Sequence, residues 1–104
     1  MLVSTSDVIP GNKEVEVLGL VRGNIVTSKH IGRDIMASFK NVVGGEIKSY
    51  SMMTNEARQI AEDRMVIEAE KLGADAIISA RFASDTVMQG TVEMLAYGTA
   101  IKFH

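Results

Sequence analysis

The hydrophobic period of this chain changes twice along its length, and that change constrains the fold more than any other feature. In EVEVLGLVRGNIVTS, Glu14 to Ser28, Val15 and Val17 alternate with Glu14 and Glu16, and a period of two with β-branched residues is the pattern of a strand. From His30 the period lengthens. Ile31, Ile35, Phe39 and Val42 recur at steps of three and four, which places them along one side of a short amphipathic helix. After Gly44 and Gly45 a second helical stripe runs through Ile47, Tyr50, Met53 or Thr54, Ala57, Ile60, Ala61, Met65, Ala69 and Leu72. Beyond Ala74 the alternation returns, first in ADAIISARFASDTV and then in TVEMLAYGTAIKF, Thr91 to Phe103. Strand, two helices and two more strands imply an α+β, two-layer fold in which an antiparallel sheet packs against a short and a long helix.

The punctuation agrees with these elements. Gly44 and Gly45 in NVVGGEIKSY fall where one helix stops and the next starts, since glycine ends a helix in the left-handed conformation at little cost. Gly73 follows the last apolar position of the long stripe, with Lys71 in the final turn, as a stop signal should. Gln89 and Gly90 separate the two final alternating runs and predict a hairpin. Gly19 and Gly23 lie inside the first strand pattern, where glycine signals a bulge or a close backbone approach. The turn residues of PGNK, Pro10 to Lys13, make Leu2 to Thr5 a short partner strand. On the strand from Ala74, simple alternation puts Ala76, Ile78, Ala80 and Phe82 on one face and Ile77, Ser79 and Arg81 on the other.

In the last strand both faces carry apolar residues, Val92, Met94 and Ala96 against Leu95, Tyr97, Ile101 and Phe103. One helical layer covers only one face of a sheet. The other face, with Leu95 assigned to it, needs a partner, and a neighbouring subunit is the simplest one. Size points the same way. The 104 residues suit one domain spanning residues 1–104, and a core this small commonly gains from oligomerisation.

Composition excludes several function classes. The formal net charge of −2 is not the basic footprint that nucleic acid or an anionic membrane surface requires. The absence of cysteine excludes disulfides, iron–sulfur clusters and thiolate zinc sites. The start MLVSTSDVIP lacks the basic and apolar blocks of a secretion signal, and no stretch approaches the ~20 apolar residues of a membrane span. A cytoplasmic protein is the expectation.

The ordered series NVVGGEIKSY, AEDRM (Ala61 to Met65), EAEKLGADAIISARF (Glu68 to Phe82) and EMLAYGTAIKF (Glu93 to Phe103) resembles the YbjQ-like family of small bacterial proteins, often labelled heavy-metal-binding. The likeness covers nearly the whole chain. It implies a compact α+β subunit that associates with itself into a ring-shaped homopentamer, and it implies a metal ligand without assigning residues to hold one.

Soft heavy metals select thiolates and thioethers, so a metal here would fall to the few methionines, histidines and carboxylates. Met52 and Met53 are adjacent, and neighbours on a helix point ~100 degrees apart, which suits core packing better than one shared ion. His30 and His104 are widely separated, so a metal site would draw on His30 and carboxylates such as Glu93, completed between subunits. Glu46 and Tyr50 share one side of the first turns of the long helix. With Gly44 and Gly45 they form a candidate ligand pocket of free amides and a polar ring, or else Glu46 complements the helix dipole and Tyr50 packs. Arg81 and Arg64, alternating with apolar residues, call for partners such as Asp75, Asp85, Glu68 or Glu93, and Arg81 is a further candidate for a carboxylate or phosphate ligand. No serine elbow, cysteine nucleophile or phosphate-cradling loop is present, so an enzyme is not expected. These features together suit an oligomeric binding or scaffolding protein, or alternatively a metal-binding protein with His and carboxylate ligands at subunit interfaces.

Overall fold

The computed structural model describes residues 1–11, 14–28 and 46–104, with side chains from residue 53 onward in the helix. It is α+β: strands β1 (Leu2–Val3), β2 (Val15–Ser28), β3 (Ala76–Met88) and β4 (Thr91–Phe103) form one four-stranded sheet, and the helix α1 (Glu46–Lys71) lies across it. The strand order is β1-β3-β4-β2. The short helix expected from Ile31 to Val42 lies outside the described residues. The start of α1 at Glu46 and its end at Lys71 agree with the long apolar stripe.

The end of α1 shows how the sequence stops it. Gly73 has φ +77, the Ala74 amide donates to the Ala69 carbonyl at 3.1 Å, and the Gly73 amide donates to the Glu70 carbonyl at 3.0 Å. This crossed pair of bonds is the Schellman arrangement, with glycine in the left-handed position and the apolar Ala74 folded back onto the core.

The buried residues of α1 are Met53, Ala57, Ala61, Met65 and Ala69, a strict four-residue spacing. Each step of four advances the helix by about 40 degrees, so the stripe winds around it. The four members from Ala57 to Ala69 pack in the main core with Val21, Ile77, Ala80, Met94, Ala96 and Ala100. Met53, one step further round, is buried outside that cluster. The alanines leave room for close contact between backbones, and β2 exploits it at Gly23. A Cβ there would collide with the Ala61 carbonyl oxygen and the Met65 amide nitrogen and would stand 2.7 Å from the Arg64 Cβ. The helix rests directly on the strand.

The antiparallel expectation holds for β2, β4 and β3, including the β3–β4 hairpin turned at Gly90 with φ +76. It fails for β1. Leu2 and Val3 pair in parallel with Ala76 and Ile77, so the sheet is mixed and the amino-terminal strand joins β3 rather than β2. The physical reason lies in the two edges: β3 offers its outer edge to the chain start, where the Ser4 amide donates to the Ile77 carbonyl at 2.9 Å and the Ala80 amide donates to the Ser4 carbonyl at 3.0 Å.

Two irregularities set which residues face the helix. In β2 the register shifts between Val17 and Gly19, with Gly19 at φ +138, so Leu18 is an inserted residue. In β3 the shift falls between Ile78 and Arg81, and Ser79 adopts φ 54. This bulge corrects the simple alternation expected for β3. Ile77 and Ala80, three residues apart, both enter the core, while Phe82 is exposed. One extra residue reverses the faces on either side of it.

Candidate functional site

The helix packs on β2 and β4 and barely reaches β3, and no other helix among the described residues lies on the opposite face of the sheet, called here the open face. Residues directly opposite one another on neighbouring strands point to the same face, so the register sets out the open face in rows. Leu20, Thr99 and Ile78 form one row, Arg22, Tyr97 and Arg81 the next, then Asn24, Leu95 and Ala83, then Val26, Glu93 and Asp85. Beyond the β2 bulge Val15 and Val17 stand opposite Phe103 and Ile101 on this same face, and at this end Ile101 and its β3 neighbour Ala76 are fully buried. Leu20 is 67% exposed, Val17 64% and Tyr97 37%. Leu95 lies on the open face and is half-buried, whereas Met94 is in the core, as the sequence reading assigned them.

The polar groups of the face are unevenly partnered. Arg81 Nη1 donates to the Thr5 carbonyl at 3.0 Å and to the Ala80 carbonyl at 2.8 Å, so the guanidinium is pinned over the sheet edge. Arg64 Nη1 donates to the Asn24 carbonyl at 2.7 Å. The carboxylate partners expected for these two arginines are therefore replaced by backbone carbonyls, which the β3 bulge and the close α1–β2 contact bring within reach. Asp75 instead accepts the Phe103 amide at 2.8 Å, and Glu68 pairs with Lys71 at 3.3 Å on the exposed side of α1. Glu93 accepts the Asn24 side-chain amide at 3.4 Å and stands opposite Asp85, two like charges facing each other. His104 Nε2 lies 2.8 Å from Glu16 Oε1.

Of the residues singled out from sequence, Arg81 and Glu93 share the open face but sit two rows apart. Gly44, Gly45 and His30 lie outside the described residues, as do the side chains of Glu46 and Tyr50. Arg22 escaped the sequence reading. It looks like an ordinary solvated charge in a strand, and only the register reveals that it shares a row with Tyr97 and Arg81.

The fit to a metal is poor. The chain has no thiol, and among the described residues no three His, Asp or Glu side chains gather closely enough to hold an ion. Among the same residues no buried side-chain nitrogen or oxygen lacks a hydrogen-bond partner, so no orphaned donor marks a ligand cavity. No helix among the described residues is long and apolar enough to cross a membrane.

Comparison with known proteins gives a consistent result. A family model described as "Putative heavy-metal-binding" matches residues 1–104. Bacterial relatives named UPF0145 proteins include one from Thermosipho melanesiensis, 60% identical over 98% of this chain and 94% of its own length. Another, from Thermotoga maritima, is 57% identical over 98% of this chain and 96% of its own. A third, from Vibrio campbellii, is 52% identical over 98% of each. A crystal structure of a DUF74 family protein of unknown function from Pediococcus pentosaceus superposes with a TM-score of 0.63 at 15% identity, covering 100% of this chain and 98% of that one, and supports the fold. With a whole-chain match and relatives this similar, the chain belongs to the YbjQ family.

Proposed function

We propose that this protein is a self-associating binding or scaffolding module whose open sheet face is its working surface, assembled in the cytoplasm as a homopentameric ring. The observation that carries this reading is the apolar content of that face. Val15, Val17, Leu20 and Val26 are exposed on one strand, with Tyr97 and Leu95 beside them on the next. Several large apolar side chains exposed together on one sheet face mark an interaction surface, even with the Arg22 and Arg81 row between them. The partner is a second copy, because a small core gains most from covering its own exposed sheet.

Leu95→Asp tests this directly. The substitution leaves the helix-packed core untouched and places a carboxylate at the centre of the face, where a covering copy would have to bury it unpaired. Native mass spectrometry should show wild-type rings and variant monomers. An unchanged mass for the variant, or a monomeric wild type, would refute the proposal.

A second reading is carried by the description of the family: a metal held by carboxylate and histidine ligands from more than one copy. The facing pair Asp85 and Glu93 is its best foothold in the described residues, with His30 as the imidazole. Metal analysis of the same native sample, before and after a chelator, separates the two. Stoichiometric metal whose removal lowers the melting temperature supports the second reading, since an ion bound only to the folded state stabilises it by mass action.

A further inference from the structure

We propose that residues 2–6 are a detachable strap over the bulged edge of β3, latched by the Arg81 guanidinium. The strap opens while the sheet beneath it stays folded, and when closed it guards that edge from a second copy of the chain. The Ser4 amide donates to the Ile77 carbonyl at 2.9 Å, the Ser79 amide to the Ser6 carbonyl at 2.8 Å and the Ala80 amide to the Ser4 carbonyl at 3.0 Å. Arg81 Nη1 donates to the Thr5 carbonyl at 3.0 Å, between the two carbonyls that accept the β3 amides. Within the strap the Ser6 amide donates to the Ser4 hydroxyl at 3.0 Å, a local turn that sets its shape.

The bulge serves this contact. In a regular strand successive amides point to opposite sides, yet Ser79 and Ala80 both donate outward, to the strap. Ser79 reaches this arrangement at φ 54, a conformation that costs energy for a residue with a side chain and persists where the surroundings impose it. The register with β4 shifts across the same stretch, from Ile78 to Arg81. With the strap lifted, two adjacent amides and the Ile77 carbonyl lose their partners together, and such a row is a template for another strand. In a solution of this protein the matching strand is the same edge of a second copy, approached about a twofold axis.

The strap buries little apolar surface. Its register with β3 is two pairs long, Leu2 with Ala76 and Val3 with Ile77. Val3 packs partly against the core, whereas Leu2 is 52% exposed and Thr5 and Ser6 are exposed as well. A segment with few buried apolar contacts opens at a lower cost than the whole fold. The Arg81 bond is charge-assisted and so roughly twice as strong as a neutral one, which makes it the latch.

This inference concerns the edge of the sheet and not its open face, so it stands or falls apart from assembly through Leu95. Hydrogen exchange of the full chain, read amide by amide by NMR, tests the strap. In the wild type Ser79 and Ala80 should exchange faster than Ala100 and Ile101. Arg81→Met should speed Ser79 and Ala80 by a further factor of about ten, the scale of one hydrogen bond to a charged group, and leave Ala100 and Ile101 unchanged; Arg81→Lys, which keeps a charged donor, should fall between. Equal rates for all four amides in the wild type overturn the strap, as does an Arg81→Met chain in which Ser79 and Ala80 are unchanged or all four accelerate together. The guard is tested by native mass spectrometry. Ser4→Pro combined with Arg81→Met removes two of the strap's four bonds to β3. Added to Leu95→Asp, the pair should give a larger mass than Leu95→Asp alone as concentration rises. An unchanged mass overturns the guard, and loss of slow exchange at Ala100 and Ile101 in that chain overturns the claim that the strap detaches by itself.

Discussion

Replacing Gly23 by alanine adds one methyl group, yet it should be among the most damaging single changes available in this fold. Gly23 is not at a positive φ, so alanine suffers no intrinsic backbone strain there. The cost is steric and falls on the backbone of α1. The new Cβ meets the Ala61 carbonyl oxygen and the Met65 amide nitrogen, and stands 2.7 Å from the Arg64 Cβ, about 1 Å inside the ~3.5–4.0 Å optimum for carbon contacts. No rotamer change relieves a clash with backbone. The helix must retreat by a distance of that order, and a gap of 0.5–1 Å is enough to forfeit roughly a quarter to a half of each contact's dispersion energy. Overpacking of this kind typically costs about 1–3 kcal/mol, and with backbone on both sides the upper end is expected. For a domain of this size that corresponds to a fall in melting temperature of roughly 10–20 °C. Thermal and urea denaturation followed by circular dichroism would measure it. Ala61→Gly should not rescue the variant, because the obstacle at that residue is its carbonyl oxygen rather than its methyl group. A Gly23→Ala protein within about 0.5 kcal/mol of wild type, the range of ordinary surface substitutions, would refute the direct contact between helix and strand.

Three further expectations follow from the packing. Met65, 1% exposed in the main core, should cost about 2–5 kcal/mol as alanine, seen as a lower urea midpoint with an unchanged slope. Ser79→Val should cost about 1–2 kcal/mol, because a β-branched residue tolerates the left-handed conformation of the β3 bulge poorly; Ser79→Gly, which fits that conformation, should lose much less in the same melts. Gly73→Ala should destabilise by about 1 kcal/mol through the helix stop at φ +77, although nothing crowds its Cβ position; an unchanged melting temperature would count against the cap.

Much of this fold is legible in the amino-acid sequence, and the parts that are not share one cause. The long helix, its glycine stop and the final hairpin are local: a stripe of apolar residues, Gly73 and Gly90 each carry their meaning within a few positions. Gly19 and Gly23 were readable as bulge or close approach, and the structure assigns one of each. What escapes is whatever depends on a distant strand. The inserted residues Leu18 and Ser79 look like ordinary members of alternating runs, so the face of Ile77 reads wrongly. The edge that Leu2 and Val3 choose is a tertiary choice between two strands of similar chemistry. The partners of Arg64 and Arg81 are carbonyls, which every residue possesses and no sequence pattern marks. The Arg22, Tyr97 and Arg81 row exists only because three strands are held in one register across separations of up to 75 residues in the chain, and nothing in the local sequence of Arg22 announces it.

The way the helix covers only part of the sheet has a consequence in time. Residues Ala96 to Ile101 of β4 are paired with β2 and, apart from Gly98 at the β3 bulge, with β3, and almost all are buried apart from Tyr97, so their amides should exchange with solvent only when the whole molecule unfolds. From Arg81 to Gln89 every residue of β3 and the turn is exposed, and opening there disturbs little buried apolar surface. That arm of the hairpin should part and reclose many times within one lifetime of the centre. A single sheet would then hold two clocks, a slow one beneath the helix and a fast one at the tip.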